Sequence, residues 1–173
     1  CRDDEHLEVM LQEECPLLRV AFPSERMADQ IIPDNIQASH ELTLHLVQLG
    51  HTKIAHIAGG HTRVDKDRQA GYATAMNSAG LEPLLLYGKY NYDSGYSWAE
   101  KILTQHPEVT AIMAANDVAA AGCVRRLKEM GRSVPGDISV TGYDGTSQSE
   151  ICDPRITTAD LRLDKMGRLA ADR

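Results

Sequence analysis

Apolar positions along the chain alternate between short continuous runs and stripes with helical spacing. Leu7, Met10 and Leu11 predict a helix over 3–14. Cys15-Pro16 breaks that pattern before the run Leu17-Leu18-Arg19-Val20-Ala21-Phe22, which predicts a strand, and the stretch from Pro23 to Pro33 shows neither period. Asp34-Asn35 supplies cap residues for a helix with Ala38, Leu42, Leu46 and Leu49 on one stripe, closed by Gly50. The unit then repeats. Lys53 to Ala58 predicts a strand, Gly59-Gly60 a turn, and Tyr72, Ala75, Met76 and Ala79 a helix that stops at Gly80. Leu84 to Tyr87 is the next strand, followed by a helix capped by Ser94 with Ala99, Ile102 and Leu103 inside. Thr110 to Ala115 is another strand, and Asp117 is expected to cap a helix burying Val118, Ala121, Val124 and Leu127 up to Gly131. Ile138 to Tyr143 gives a further strand, then come Pro154, Thr157-Thr158 and a helix from about Asp164.

Continuous apolar strands alternating with amphipathic helices specify an α/β fold, with a parallel sheet covered by helices on both faces. Ligands of such sheets sit beyond the carboxyl ends of the strands, at the point where the strand order reverses. Candidate chemistry is therefore sought in Gly59-Gly60, Tyr87 to Tyr90, Asn116-Asp117 and Tyr143-Asp144-Gly145.

Composition narrows the picture by exclusion. The net charge of −7, with 18 basic residues scattered among acidic ones, leaves no Lys/Arg face for phosphates or anionic lipid. The four cysteines lack C-x-x-C spacing and read as reduced thiols, which points to a cytoplasmic location. No apolar run reaches the roughly 18 residues of a membrane span, and Cys1 opens a polar stretch instead of a leader. The first residue is not Met, so a processed chain or a fragment is expected.

At the strand ends, Asn116 offers a donor and an acceptor, Asp144 accepts two or more bonds, and Arg68 adds a rigid donor fork, a set that matches neighbouring hydroxyls of a sugar. Spacing alone equally permits structural roles: Asn116 and Asp117 as helix caps, Asp144 as a turn residue before Gly145, and Arg68 as a solvated helix residue. Tyr90 and Tyr92 could present an aromatic face to a pyranose or simply pack, and Trp98 falls inside a helix, where packing is the expected role. Metal and catalytic signals are weak. His40 and His45 are five apart, about 140° out of alignment on a helix, whereas a shared zinc needs four-residue spacing. His51, His56 and His61 read as packed or solvated residues. Gly59-Gly60 is followed by no Gly-Lys-Ser/Thr, no third glycine completes a dinucleotide fingerprint, and no Gly-x-Ser-x-Gly elbow occurs. No catalytic residue, metal ligand or cofactor is assigned.

Several segments together resemble the effector-binding module of the lactose and galactose repressor family. They are Asp34-Asn35, the helix end His45 to His51, Lys53-Ile54-Ala55 with Gly59-Gly60, Arg68 to Tyr72 with Ala79-Gly80-Leu81, Ala115-Asn116-Asp117, Val134 to Asp144, and Pro154 to Thr158 with Met166-Gly167. The resemblance covers the chain from about residue 15 onward. It implies a two-lobed, periplasmic-binding-protein-like fold with a small sugar-like effector, a mono- or disaccharide first and a nucleoside or a sugar phosphate behind it, between the lobes of a DNA-binding repressor. On that pattern residues 1–33 belong to the N-terminal lobe, 34–154 form a nearly complete C-terminal lobe, and 155–173 return to the first, partial lobe. Arg68, Asn116 and Asp144 then face effector hydroxyls, Tyr90 packs on the sugar, and Phe22 lies on the first-lobe strand. Ala21 stands where some sugar-responsive members carry an acidic residue, so recognition from that lobe must differ. The family also implies a homodimer or tetramer that reads operator DNA through an amino-terminal helix-turn-helix outside this sequence, with no membrane partner. A transport or chemotaxis binding protein of the same fold is the alternative, and an enzyme acting on a sugar the more distant one.

Overall fold

The computed structural model describes residues 17–21, 23 and 29–173. The helix expected over 3–14 lies outside them. The described chain divides into two compact units, one spanning residues 34–162 and the other built from residues up to 33 together with 163–173.

The larger unit holds a five-stranded sheet in the order β4-β3-β5-β6-β7, all parallel. Its strands are β3 (Ile54–Ala58), β4 (Leu84–Tyr87), β5 (Ala111–Met113), β6 (Ser139–Asp144) and β7 (Thr157–Asp160). Both faces are covered, which is why β3 and β5 are apolar almost throughout. Ala55, Ile57 and Ile112 pack with Ala99, Ile102 and Leu127 on one face, while Ile54, Ala111 and Met113 pack with Leu42, Leu46, Tyr72 and Met76 on the other. The helices on the second face are α1 (Asn35–Gln48) and α2 (Arg63–Ser78); those on the first are α3 (Tyr92–Gln105) and α4 (Asp117–Glu129). Glycines let each pair approach closely. A Cβ on Gly71 of α2 would lie 2.2 Å from the Ile36 carbonyl oxygen, and one on Gly122 of α4 would lie 2.2 Å from that of Tyr92.

Helix starts differ in detail from the sequence reading. Asp34 caps α1 as expected, accepting from the Gln37 amide at 2.9 Å. The cap of α3 is Asn91, not Ser94: its Oδ1 accepts from the Ser94 amide, while Ser94 Oγ accepts from the Lys89 amide. The cap of α4 is Asn116, not Asp117, because the extended backbone falls at Asn116 and its Oδ1 reaches the Ala119 amide at 2.9 Å. Asp117 is instead a buried first-turn residue.

The sheet also runs past the boundary expected at residue 154. Thr157–Asp160 pairs with β6 from Thr141 to Asp144, so the larger unit extends to Arg162, with the short helix α5 (Ser147–Ile151) between those strands.

In the smaller unit, β1 (Arg19–Val20) pairs in parallel with β2 (Gln30–Ile31), and α6 (Leu163–Ala171) packs against both. β2 falls in the stretch read as irregular; two residues are too few to show a period.

Candidate functional site

Strand order reverses between β3 and β5, since the chain leaves β3 to form β4 on one side and then crosses to the other. The carboxyl ends of these two strands, with that of β6, gather the polar residues.

Arg68, on the second turn of α2, is the hub. Its side chain is almost wholly buried, and all three guanidinium nitrogens are engaged: Nε donates to Asn35 Oδ1 at 3.0 Å, Nη1 to the Ala115 carbonyl at 2.8 Å, and Nη2 to Asp144 Oδ1 at 3.0 Å. The guanidinium carbon sits 3.7 Å from the centroid of the Tyr143 ring, a close cation–π contact that fixes its plane. A fork held at four points has little rotational freedom left. The N–H hydrogens not used on Nη1 and Nη2 point in directions the protein has set.

Asp144 closes β6 with φ of 105°, a left-handed conformation unusual for any residue but glycine, and Gly145 follows at 72°. This double reversal turns the carboxylate back towards Arg68. Its side chain keeps 26% of its exposure, and among the described residues Oδ2 makes no hydrogen bond, so one oxygen anchors and the other is available. Burial raises the Asp144 carboxyl above its ordinary range, outweighing the downward pull of Arg68.

Tyr90 lies in the loop between β4 and α3. Its hydroxyl donates to Asp65 Oδ1 at 2.5 Å, and its backbone carbonyl accepts from Asn116 Nδ2 at 3.5 Å. Asp65 is buried in a capping box with Thr62, whose amide and hydroxyl both donate to Asp65 Oδ2. Although burial alone would raise this carboxyl, the bonds from Thr62 and Tyr90 prevail and lower it. Burial and the bond to Asp65 push the Tyr90 phenol far up, so it stays a neutral donor. Arg68 lies 5.8 Å from the Tyr90 ring centroid, so the phenol, the guanidinium and the Asp144 carboxylate form one neighbourhood.

Arg68, Asp144, Tyr90 and Asn116 are thus joined by direct or one-step contacts. Arg68 is not the solvated helix residue that spacing permitted. Asn116 does cap α4, and that role leaves it a second acceptor lone pair and a second amide hydrogen. Phe22 lies outside the described residues. Tyr92 is exposed and stacks with Tyr96 at 6.3 Å between centroids, apart from this cluster, and Trp98 packs with Nε1 donating to the Tyr87 carbonyl.

Sequence reasoning missed Asn35, Asp65 and Tyr143 as partners of the site. Only Asp65 carried a signal, the Thr-x-x-Asp spacing of a capping box. His56 is buried, with Nδ1 at 3.0 Å from the Met113 carbonyl, and no group of three or more His, Cys, Asp or Glu side chains among the described residues is placed to share a metal ion.

Comparison with known proteins places these features in a wider set. The pattern of the family described as periplasmic binding protein-like domain matches residues 43–173. The HTH-type transcriptional regulator CelR of Thermobifida fusca is 35% identical over 148 residues, 83% of this chain and 44% of the relative. The HTH-type transcriptional regulator DegA of Bacillus subtilis is 33% identical over 166 residues, 93% of this chain and 49% of the relative. Among solved structures, the transcriptional regulator CelR–cellobiose complex superposes with a TM-score of 0.85 at 32% identity, covering 99% of this chain and 56% of that one. A LacI transcriptional regulator from a Rhodococcus species gives 0.91 at 31% identity, covering 99% and 65%. The chain spans about half the length of the curated relatives it matches.

Proposed function

The chain belongs to the lactose and galactose repressor family of transcription regulators, within its periplasmic-binding-protein-like effector domain, and from this premise we propose that it is the sensing part of a cytoplasmic, DNA-binding repressor whose effector is a mono- or disaccharide. The observation that carries the reading is the Arg68–Asp144 pair: a carboxylate with one oxygen anchored and one available, beside a guanidinium locked by Asn35, Ala115 and Tyr143.

Two vicinal hydroxyls suit this arrangement. One donates to Asp144 Oδ2 while its neighbour accepts from an Nη hydrogen of Arg68, and Asn116 adds a donor and an acceptor beside them. Tyr90 would supply an apolar ring surface to a pyranose. Each charge-assisted bond of this kind contributes about 1.5–3 kcal/mol net. The CelR–cellobiose complex, similar over nearly the whole chain, supports a sugar as the ligand class. Binding acts on DNA by favouring one of two states, with a coupling of about 1–3 kcal/mol in regulators of this kind. The regulated form is a homodimer or higher oligomer, a proposal the similarity to a dimeric lac repressor supports. No group in the site is assigned a catalytic role.

The test is calorimetric titration of the full-length protein with a panel of mono- and disaccharides that includes cellobiose, repeated for Asp144→Ala. A sugar should bind the parent protein and lose about a hundredfold or more in affinity in the variant, the equivalent of one strong charged hydrogen bond. Unchanged affinity in a folded Asp144→Ala protein rejects the assignment.

A further inference from the structure

The Asp117 carboxylate is among the most deeply buried polar groups of the larger unit, at 1% exposure, and among the described residues it has no cationic partner in a salt bridge. A carboxylate in that position is costly unless donors surround it. Three do. Oδ2 accepts from the Thr146 amide at 2.7 Å and from the Thr146 hydroxyl at 2.9 Å, and Oδ1 accepts from the Thr158 hydroxyl at 2.6 Å. Thr158 Oγ1 in turn accepts from the Gly145 amide at 3.3 Å. Space for the carboxylate comes from Gly142 on β6, where a Cβ would stand 2.3 Å from Asp117 Oδ1.

All of these bonds converge on the turn that carries Asp144. Residues 144 and 145 both have positive φ, and a side chain on Gly145 would meet Asp160 at 2.7 Å. Holding Asp144 in a left-handed conformation costs energy, so the surroundings must enforce it. Asp117 grips the residue immediately after this pair through both its amide and its hydroxyl, and Thr158 grips the middle of it. We propose that Asp117 is a positioning residue of the effector site, clamping the 144–146 turn through Thr146 and Thr158 so that Asp144 presents one oxygen to Arg68 and the other to the ligand. This rests on the reading of Arg68 and Asp144 as ligand-binding groups. It also gives the adjacent residues Asn116 and Asp117 separate duties, the first capping α4 and facing the ligand, the second orienting the carboxylate across the site.

A clamp and a merely structural carboxylate differ in what happens at Asp144. The charged and titratable groups around Asp144 include Arg68 from α2, Asp117 from α4, Asp160 at the paired position of β7, Tyr143 on its own strand and Tyr90 from the β4–α3 loop. Burial is the main cause of the raised Asp144 carboxyl, and the charge of Asp117 adds to it. The experiment follows the Asp144 carboxyl carbon by NMR against pH in the full-length protein, for the parent, Asp117→Asn, Asp117→Ala and Thr158→Val. Affinity for cellobiose, or for whichever panel sugar the parent binds, is measured on the same samples. Asp117→Asn keeps an acceptor for Thr146 but no charge, so Asp144 should titrate at lower pH while affinity falls only a few-fold. Asp117→Ala should lower affinity about tenfold or more at full binding stoichiometry, and Thr158→Val, which removes one of the three donors, should fall between. Thr158→Val keeps the Asp117 charge and removes only a clamp contact, so an Asp144 titration in Thr158→Val equal to the parent's overturns the proposal. So does an affinity loss in Asp117→Ala and Thr158→Val that merely tracks the folded fraction. If the parent protein binds no sugar, the effector reading fails, and the Asp144 titration still decides whether Asp117 sets its environment.

Discussion

The ring of Tyr90 occupies the space that a side chain on Gly59 would fill: a Cβ there would lie 2.3 Å from both Cε2 and Cζ of the phenol. Gly59 therefore has a packing role. It clears the floor on which the Tyr90 ring rests while the hydroxyl reaches Asp65.

Gly59→Ala should displace the ring, because the alternative is to move the backbone at the end of β3. Overpacking of this sort costs about 1–3 kcal/mol, read as a lower urea midpoint. If Tyr90 contributes a sugar-facing surface, affinity falls as well, by about tenfold. An Ala variant with parental stability and affinity would show that the Tyr90 ring is free to move.

Arg68→Lys tests the fork itself. An ammonium cannot reach Asn35, the Ala115 carbonyl and Asp144 together, nor lie flat on Tyr143, so several partners are stranded at once. Breaking a buried pair on one side costs about 3 kcal/mol or more. Chemical denaturation of the lysine variant should show a loss of that order, together with loss of ligand binding. A loss below about 1 kcal/mol would mean that the fork contributes no more than an exposed ion pair.

The alternation of strands and helices was legible in the sequence because both faces of β3 and β5 are buried, and two-sided burial writes itself as a continuous apolar run. Cap positions were less legible. Asn116 and Asp117 are both good caps by residue type, and only the backbone, extended at Asn116 and helical at Asp117, separates them. The candidate residues Arg68, Asp144 and Tyr90 were visible through their place at strand ends and through family resemblance. Their supports were not, since Asn35, Asp65 and Tyr143 act across sequence separations of 33, 25 and 108 residues, in the bonds from Arg68 to Asn35, Tyr90 to Asp65 and Tyr143 to Asn35. Periodicity reports which face of an element is buried and says nothing about which distant side chain it meets.

Tyr72→Phe probes how α2 is fixed to the sheet. The hydroxyl donates to the Ile54 carbonyl at 2.8 Å and accepts from the Leu84 amide at 2.8 Å, bridging β3 and β4 from inside the core. Its removal leaves the buried Ile54 carbonyl and the partly buried Leu84 amide each short of one bond, at a cost of about 1–3 kcal/mol. The phenylalanine protein should fold with the same secondary structure by circular dichroism and unfold at lower denaturant. A midpoint equal to the parent's would show that water or local adjustment replaces the hydroxyl.

The stability of the protein should fall in mild acid through His56. This imidazole is buried, lies tilted against the Tyr72 ring at 5.2 Å between centroids and has Nδ1 bonded to the Met113 carbonyl. Desolvation by burial lowers it from 6.5 to about 4, against the smaller upward pull of that carbonyl. In the unfolded chain the ring binds a proton below pH 6.5, whereas in the folded protein it stays neutral down to about pH 4, so between those values the unfolded state holds the extra proton. Stability then rises with pH across the window by up to about 1.4 kcal/mol per unit, or about 3 kcal/mol in all. Asp144 acts in the opposite sense, because its raised carboxyl takes up a proton more readily in the folded state than in the unfolded one. The difference between the parent and His56→Asn isolates the histidine. Asparagine places an amide nitrogen near the Nδ1 position and leaves a small void, which lowers stability at every pH without adding a titrating group. Urea unfolding at half-unit intervals from pH 4 to pH 7 should therefore give a smaller slope for the variant. Parallel curves for the two proteins would mean that His56 titrates alike in the folded and unfolded states and is not desolvated in the core.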